Sequence, residues 1–598
     1  MTEFEQSVKS DITKKHSHHE QIPSTQNQFR DKINVMVNTF EEMGNPFNDA
    51  SDALMTLDGK DIMDTAVVQS VKKVIDIGQT KYETYISERL ESSLRPITDT
   101  IPKSNLPLFS KRKRSTKSKA QLKVGTLQDN VALFSELYIA CQTRSINMDD
   151  FFMHENQPYP PSLSEYGKLR LGKKSDLVDC LLQPDLMKYT EAPAGDAKIF
   201  DGAALVHFLE PKTVCTFGEY AEQIFLPYID RQHAQRVDIV WDRYFPESLK
   251  ESAREKRGKG DRRRVLKTSK IPKSWNKFLL NQDNKTELFG FLTTYIRDNF
   301  QTKEVYATCG ESVICTRENA DCTNIQPCNH EEADSRIFIH ARDAARKGCK
   351  RLLIRTVDTD VVVLAIANFV KLEIDELWVE YGLGKHLRYI PAHIIAANLG
   401  VHKSQAIAGF HSFTGCDTVS CFAGKGKKSA WDVWRVFPDV TQAFCALSAP
   451  LSSVSDEMYQ LLERFVILLY DRTSSCISLD DSRKELFTKR FRRNIENLPP
   501  TTAAFRQHVK RAAYQSGHVW GQILVPEMKL PCPSEWGWAR TTQGYEPYWT
   551  TLPSAGRGCR ELKKCSCTSS CSNRCGCAKS LLVCTPMCNC VCEETLLM

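Results

Sequence analysis

No stretch of this chain is both long and apolar enough to span a bilayer. The longest apolar stretch, residues 361–370, is interrupted by Asn368 and follows an aspartate, whereas a membrane helix needs roughly 20 residues. Residues 1–21 (MTEFEQSVKSDITKKHSHHEQ) lack the apolar core of a secretory signal, so the chain is expected to stay inside the cell. Net charge is also small: 80 Lys plus Arg against 73 Asp plus Glu leave +7, a sum that conceals runs of one sign. Cysteine is sparse over most of the length, because 10 of the 23 lie within residues 559–592. That distribution excludes a disulfide framework spread over a small secreted fold and points to a reducing compartment and metal binding.

At 598 residues, with 41% apolar residues, the chain can bury several cores. Residues 1–125 read as a helical N-terminal region with a basic linker. Apolar residues there recur at helical spacing (Ile33, Val37, Phe40; Val71, Val74, Ile75), and the linker carries Lys-Arg-Lys-Arg at 111–114. Such a run serves either as a solvated linker or as a nuclear localisation signal. A helical connector fills 126–195. From Lys198 the pattern changes to short apolar runs alternating with helical stretches: KIF before Asp201, VDIVW before Asp242, RLLIRTV before Asp358, then VVVLAIANF. This alternation predicts an α/β domain over 196–435 with a mostly parallel sheet flanked by helices. A helical extension and a Trp/Pro-rich connector follow over 436–554, and a small cysteine domain over 555–598.

Open parallel sheets bind their ligands beyond the carboxyl ends of the strands. Aspartates placed directly after strands therefore converge, which groups Asp201, Asp242, Asp358 and Asp360. Glu332 and Asp334 open a helical stretch (HEEADSRI), and Asp417 opens DTVSCFAGKGKKSAW. Any one of these acids alone is more often a cap or turn residue than a catalytic one. Clustered, they would repel one another unless divalent cations neutralise them, and two hard cations about 4 Å apart are a standard device for phosphodiester cleavage.

In order and context these acids resemble the flap endonuclease (XPG-type) branch of the PIN-like 5' nucleases. Asp201 in IFDG stands at the family's first acid, and Asp242, before a basic stretch, at its second. Glu332-Ala333-Asp334 matches an E-A-E pair, and Asp358 with Asp360 the D-x-D pair after a buried strand. Asp417 in Gly415-Cys416-Asp417-Thr418, running on to the Gly-Lys-Gly-Lys-Lys of 424–428, matches a G-S-D-Y segment that continues into G-I-G-P-K. The resemblance covers residues 197–435 and implies a PIN-like fold, two Mg²⁺ or Mn²⁺ ions and nuclease activity carried by the seven acids. Three departures stand out: Asp334 replaces the usual Glu, about 200 residues precede Asp201, and an insertion separates Asp242 from Glu332.

The basic stretch at 254–270 (REKRGKGDRRRVLKTSK) matches the family's gateway helix, which implies that Arg254, Lys256 and Arg257 steer the scissile phosphate. The glycine hairpin Gly424, Gly426, Lys427 and Lys428 matches its helix-two-turn-helix element, whose backbone amides hold a duplex phosphate. The plainer alternatives are a solvated surface run and an ordinary turn between helices.

From Cys565 the spacing reads C-x-C-x3-C-x3-C-x-C-x6-C-x3-C-x-C-x-C, through Cys567, Cys571, Cys575, Cys577, Cys584, Cys588, Cys590 and Cys592. Thiolates this dense suit tetrahedral zinc at about 2.3 Å per Zn–S bond. Nine thiolates satisfy three zincs only if three sulfurs bridge. The pattern resembles the CXC (tesmin/TSO1-like) domain, with three intervals one residue shorter and the expected tyrosine missing. That resemblance implies three Zn and DNA binding, against the alternative of a zinc knot for protein contacts. Cys559 is left without a role, and Cys309, Cys315, Cys322, Cys328 and His330 are spaced too irregularly for a zinc knuckle.

The whole layout also resembles a group of uncharacterised, possibly mobile-element-derived animal proteins. The expectation is a nuclear, metal-dependent nuclease acting on nucleic acid, DNA foremost, with no membrane partner. The alternative is a non-catalytic nucleic-acid-binding or chromatin-associated protein that keeps the PIN-like domain as a scaffold.

Overall fold

The structure, a computed structural model, describes residues 22–42, 54–55, 61–101, 106, 119–182, 189, 191–245, 248–250, 260–489, 498–542, 544–568, 571 and 575–590. The chain divides into two compact units. The first comprises 1–113, 211–224 and 260–288. It contains the helices Pro23–Glu42, Thr65–Lys72 and Val74–Ile86 and an antiparallel ribbon of Asp61–Ile62 with Arg262–Arg263. Its aromatic core stacks Trp275 on Phe278, with Phe217 tilted against both. Arg262 lies 2.6 Å from Glu287, so this part of the basic stretch is committed to an ion pair.

The second unit comprises 114–210, 225–259 and 289–598 and is built on a seven-stranded sheet. Its strands are β1 (Ala197–Asp201), β2 (Arg236–Val240), β3 (Glu304–Cys309), β4 (Ser312–Cys315), β5 (Arg351–Thr356), β6 (Glu376–Tyr381) and β7 (Arg388–Pro391). Across the sheet they run β7-β6-β5-β1-β2-β3-β4. The five inner strands are parallel, and β4 and β7 pair antiparallel at the two edges. Parallel strands are covered on both faces, which is why β1 and β2 are buried along nearly their whole length. Chain order runs outward from β1 through β2 to β3, then returns to the other side of β1 with β5. The switch point therefore lies between β1 and β5, where such sheets open a crevice at their carboxyl ends.

Helices α1 (Lys119–Thr143), α2 (Met148–Met153) and α3 (Asp176–Leu181) precede the sheet. Helix α4 (Gly202–Phe208) follows β1, α5 (Ala333–Arg346) precedes β5, and α6 (Thr359–Leu372) follows it. Helix α6 contains the VVVLAIANF stretch, whose pattern resembles the strand-forming runs. It is a helix because Asp358 caps its start, and it lacks a helical period because nearly every side is buried. Helices α7 (Ala392–Leu399), α8 (Val401–Phe413), α9 (Lys427–Val436), α10 (Asp456–Tyr470) and α11 (Thr502–Ala513) join the same core. The Trp/Pro-rich connector contains a small antiparallel hairpin, Trp538–Thr541 with Gly544–Pro547.

Two glycines shape the crevice. A Cβ on Gly202 would meet the Trp241 ring at 2.2 Å, so only glycine lets the first turn of α4 lie against that indole. Gly415 has φ +114, and a Cβ there would fall 2.8 Å from Cys421, which fixes the turn leading to Asp417.

Candidate functional site

The acids arrive at the carboxyl end of the sheet on separate elements. Asp201 ends β1 and caps α4, accepting from Ala204 N at 3.0 Å, while its second oxygen accepts from Thr356 Oγ1 at 3.0 Å. Asp242, just past β2, accepts from Ala333 N at 2.9 Å and from Tyr244 Oη at 3.2 Å. The bond to Ala333 draws the start of α5, with Glu332 and Asp334, to the end of β2. Asp358 caps α6, accepting from Asp360 N at 2.8 Å. One carboxylate oxygen each from Asp334, Asp358 and Asp360 lie within 4.8 Å of one another. Asp417 comes from the loop between α8 and α9. The capping role and the cluster coexist, because a cap at the carboxyl end of a parallel strand already faces the crevice.

Two lysines, neither singled out from the sequence, enter the cluster, the half-buried Lys174 and the buried Lys250. Lys174 Nζ lies 3.2 Å from Asp358, 3.0 Å from Asp360 and 2.9 Å from Asp417. Lys250 pairs with Glu332. His411 Nε2 lies 2.8 Å from Asp360 Oδ1.

Burial and mutual repulsion perturb these acids strongly. Burial, then Asp242, pushes Asp201 up to about 7. Burial also raises Glu332 to about 7 against the pull of Lys250, and it raises Asp334 and Asp358, each with help from neighbouring acids. Burial would raise Asp360 too, but Lys174 and His411 hold it below the usual carboxylate range. Burial disfavours charge on Lys174, yet Asp360, Asp358 and Asp417 keep its amine protonated far above the usual lysine range. Burial and Lys427 press His411 down to about 4, so it faces Asp360 as a neutral ring. Asp201, Asp242, Glu332, Asp334, Asp358, Asp360 and Asp417 are thus electrostatic neighbours, with Asp334, Asp358 and Asp360 the three whose oxygens lie within 4.8 Å of one another. Such a donor set, hard oxygens only and held at like-charge distances, fits a divalent cation.

The basic candidates fare differently. Arg254, Lys256 and Arg257 lie outside the described residues, as does the 111–114 run. Gly424 has φ +67, and Gly426 begins α9 with open space around it. Lys428 is exposed, 3.6 Å from Asp179. Lys427 turns inward, its amine donating to His411 O and to Thr414 Oγ1, and burial lowers it to about 7.

None of the described cysteines of the terminal module is in a disulfide. Cys565 lies 3.4 Å from Cys571 and 3.5 Å from Cys590, Cys571 lies 3.6 Å from Cys584, and Cys577 lies 3.6 Å from Cys588. Tetrahedral zinc with bonds of about 2.3 Å separates its sulfurs by roughly 3.8 Å, close to these values. Three groups of four have ligand atoms within 4.8 Å: Cys565, Cys577, Cys584 and Cys588; Cys565, Cys567, Cys571 and Cys575; and Cys565, Cys571, Cys584 and Cys590. Cys565 belongs to all three, so ions in more than one of these groups would have to share its sulfur. Cys592 lies outside the described residues. The Arg144 guanidinium, just past α1, grips the module, donating to Val583 O at 2.8 Å, to Lys563 O at 2.9 Å and to Glu561 O.

His330 is tied at both nitrogens, to Ser335 Oγ at 2.9 Å and to Val525 O at 2.7 Å, which leaves it no lone pair for a metal with Cys309, Cys315, Cys322 or Cys328. No helix among the described residues is long and apolar enough to cross a membrane.

No family model matches the chain, and no curated protein matches it. Among solved structures, the "Crystal Structure of T5 D15 Protein Co-crystallized with Metal Ions" is similar over 55% of this chain and 96% of its own length, at 12% identity and a TM-score of 0.26. A likeness of that strength carries no argument, so the function of the chain has to be read from the geometry of the site.

Proposed function

We propose that the chain is a metal-dependent nuclease that hydrolyses phosphodiester bonds, of the PIN-like 5' nuclease kind, acting on nucleic acid with DNA the expected substrate. One observation supports this reading: acids that follow β1 and β2 and open α5 and α6 lie at the carboxyl ends of the parallel strands, beside the switch point, where Asp334, Asp358 and Asp360 each offer an oxygen within 4.8 Å of the others. Asp201, Asp242, Glu332, Asp334, Asp358, Asp360 and Asp417 would hold two Mg²⁺ or Mn²⁺ ions. When bound, the ions supply Lewis acidity and lower the pKa of coordinated water.

The chain's own groups do the rest. Thr356 and the Ala204 amide hold the Asp201 carboxylate, and the Ala333 amide and Tyr244 hold that of Asp242. His411 orients Asp360. Lys250 beside Glu332 is placed to meet a phosphate oxygen and hold its charge as it develops. The cysteine module, gripped by Arg144, serves as a CXC-type zinc anchor on nucleic acid, and the basic run at 111–114 directs the chain to the nucleus.

A second reading is favoured by Lys174. Its ammonium lies 2.9–3.2 Å from Asp358, Asp360 and Asp417 and offsets part of their charge from within the chain, as expected of a scaffold that binds nucleic acid and does not cut it. Incubating the full chain with single-stranded, flapped and duplex DNA and RNA, with Mg²⁺, Mn²⁺ or EDTA, separates the two. Metal-dependent cleavage of at least one substrate supports the nuclease; intact substrates under every condition support the scaffold.

A further inference from the structure

Cys559 lies outside the clustered thiols of the terminal module. It is buried at the edge of a small core formed by Leu133, Leu137 and Ala140 of α1, Phe151 and Phe152 of α2, Ala555 and Leu562. It faces α2: Asp150, His154 and Cys559 each offer one ligand atom, and the three atoms lie within 4.8 Å of one another.

The histidine shows what this arrangement suits. His154 Nδ1 lies 2.8 Å from Pro553 O, and a carbonyl accepts only, so Nδ1 carries the proton and donates. In the neutral ring Nε2 is then left with its lone pair outward, toward Asp150 Oδ1 at 3.9 Å, too far for a hydrogen bond. Two acceptors and a thiol thus lie within 4.8 Å of one another. An imidazole whose far N–H is fixed by a backbone carbonyl is the usual state of a metal-ligating histidine.

The surroundings hold the geometry. Ala555 N donates to Glu155 O at 2.8 Å, so the segment before Cys559 is pinned to the end of α2 at two successive residues. A Cβ on Gly558 would fall 2.3 Å from His154 Cε1, so glycine is what lets Cys559 arrive beside the ring. His154 is buried, with a relative exposure of 7%, whereas the Asp150 side chain is 41% exposed and leaves a side open to water.

We propose that Asp150, His154 and Cys559 form a zinc site separate from the clustered thiols, completed by water, which clasps the terminal module to α2. Mixed oxygen, nitrogen and sulfur donors suit zinc above magnesium or calcium, and three protein ligands plus water is a common zinc arrangement. The site does not depend on nuclease activity and stands whether or not the acidic cluster cleaves.

The test uses the full chain expressed with zinc, and its D150N, H154Q and C559S variants. Asp150→Asn preserves volume at a half-exposed position and so spares the fold; circular dichroism checks this for all three. Elemental analysis is expected to give one zinc per chain fewer in each variant than in wild type. Cobalt substitution is expected to lose one thiolate-to-cobalt absorption component, together with its ligand-field bands, in all three variants. Zinc content equal to wild type in folded D150N and H154Q would overturn the proposal and leave the Asp150–His154 contact as an ion pair only.

Discussion

Replacing Lys174 with methionine keeps the volume of the side chain and removes the ammonium that Asp358, Asp360 and Asp417 share at 2.9–3.2 Å. Breaking a buried ion pair from one side costs about 3–5 kcal/mol. The side chains of Lys174, Asp358 and Asp417 retain 20%, 30% and 21% exposure, which places the expected loss at the lower end, about 3 kcal/mol. For a large unit, at about 2 °C per kcal/mol, thermal unfolding in EDTA should fall by about 6 °C. Divalent cations should reverse the loss, since a ligand at 100 times its Kd contributes about 2.7 kcal/mol. Mn²⁺ should therefore raise the melting temperature of the variant more than that of wild type, because it no longer competes with a tethered amine. The assay is differential scanning fluorimetry of both proteins over a Mn²⁺ titration. A variant melting within about 2 °C of wild type in EDTA, or equal Mn²⁺ shifts in both, would refute the idea that Lys174 stands in for cation charge.

Other consequences are as direct. Asp201 and Glu332 titrate near 7 in the fold and at roughly 4 unfolded, so between these values the folded chain binds more protons. In chelator its denaturant midpoint should fall as pH rises from about 4 to about 8, and Mg²⁺ should flatten that slope; a midpoint rising over the same range would contradict the perturbed acids. Gly202→Ala places a methyl 2.2 Å from Trp241 and should cost about 1–3 kcal/mol in urea unfolding, because the ring is confined between Phe225 and Phe289. Arg144→Ala removes bonds to three carbonyls of the terminal module, and limited proteolysis should then cut within 555–590 faster while the sheet domain stays intact.

Much of the acidic site could be read from the order of residues, because a strand followed at once by an acid is a local pattern and the sheet supplies the convergence. Asp201, Asp242 and Asp358 illustrate this: each follows a run buried on both faces. The lysines carried no such signal. Lys174 lies 184 residues before Asp358 in a Gly-Lys-Lys-Ser stretch that reads as an ordinary turn, and only the packing of α3 brings its amine into the crevice. Lys427 was expected within a hairpin that holds a duplex phosphate, whereas the first turn of α9 buries its amine against His411 O. The VVVLAIANF helix read as strand-like because complete burial erases the helical period. Cys559 had no visible partner because Asp150 and His154 lie some 400 residues earlier.

Whether the carboxylates at the ends of β1, β2 and β5 form a divalent-metal centre that cuts phosphodiesters is tested most directly by comparing wild type with the Asp358→Asn, Asp360→Asn double variant in one experiment. Nucleic-acid binding and Mn²⁺-dependent cleavage are measured on the same labelled substrate. The double variant is expected to bind as tightly as wild type but to cleave at least about 10³-fold more slowly, a loss of roughly 4 kcal/mol of transition-state stabilisation. Equal cleavage by both proteins, or binding without cleavage by wild type, would contradict a metal-dependent nuclease.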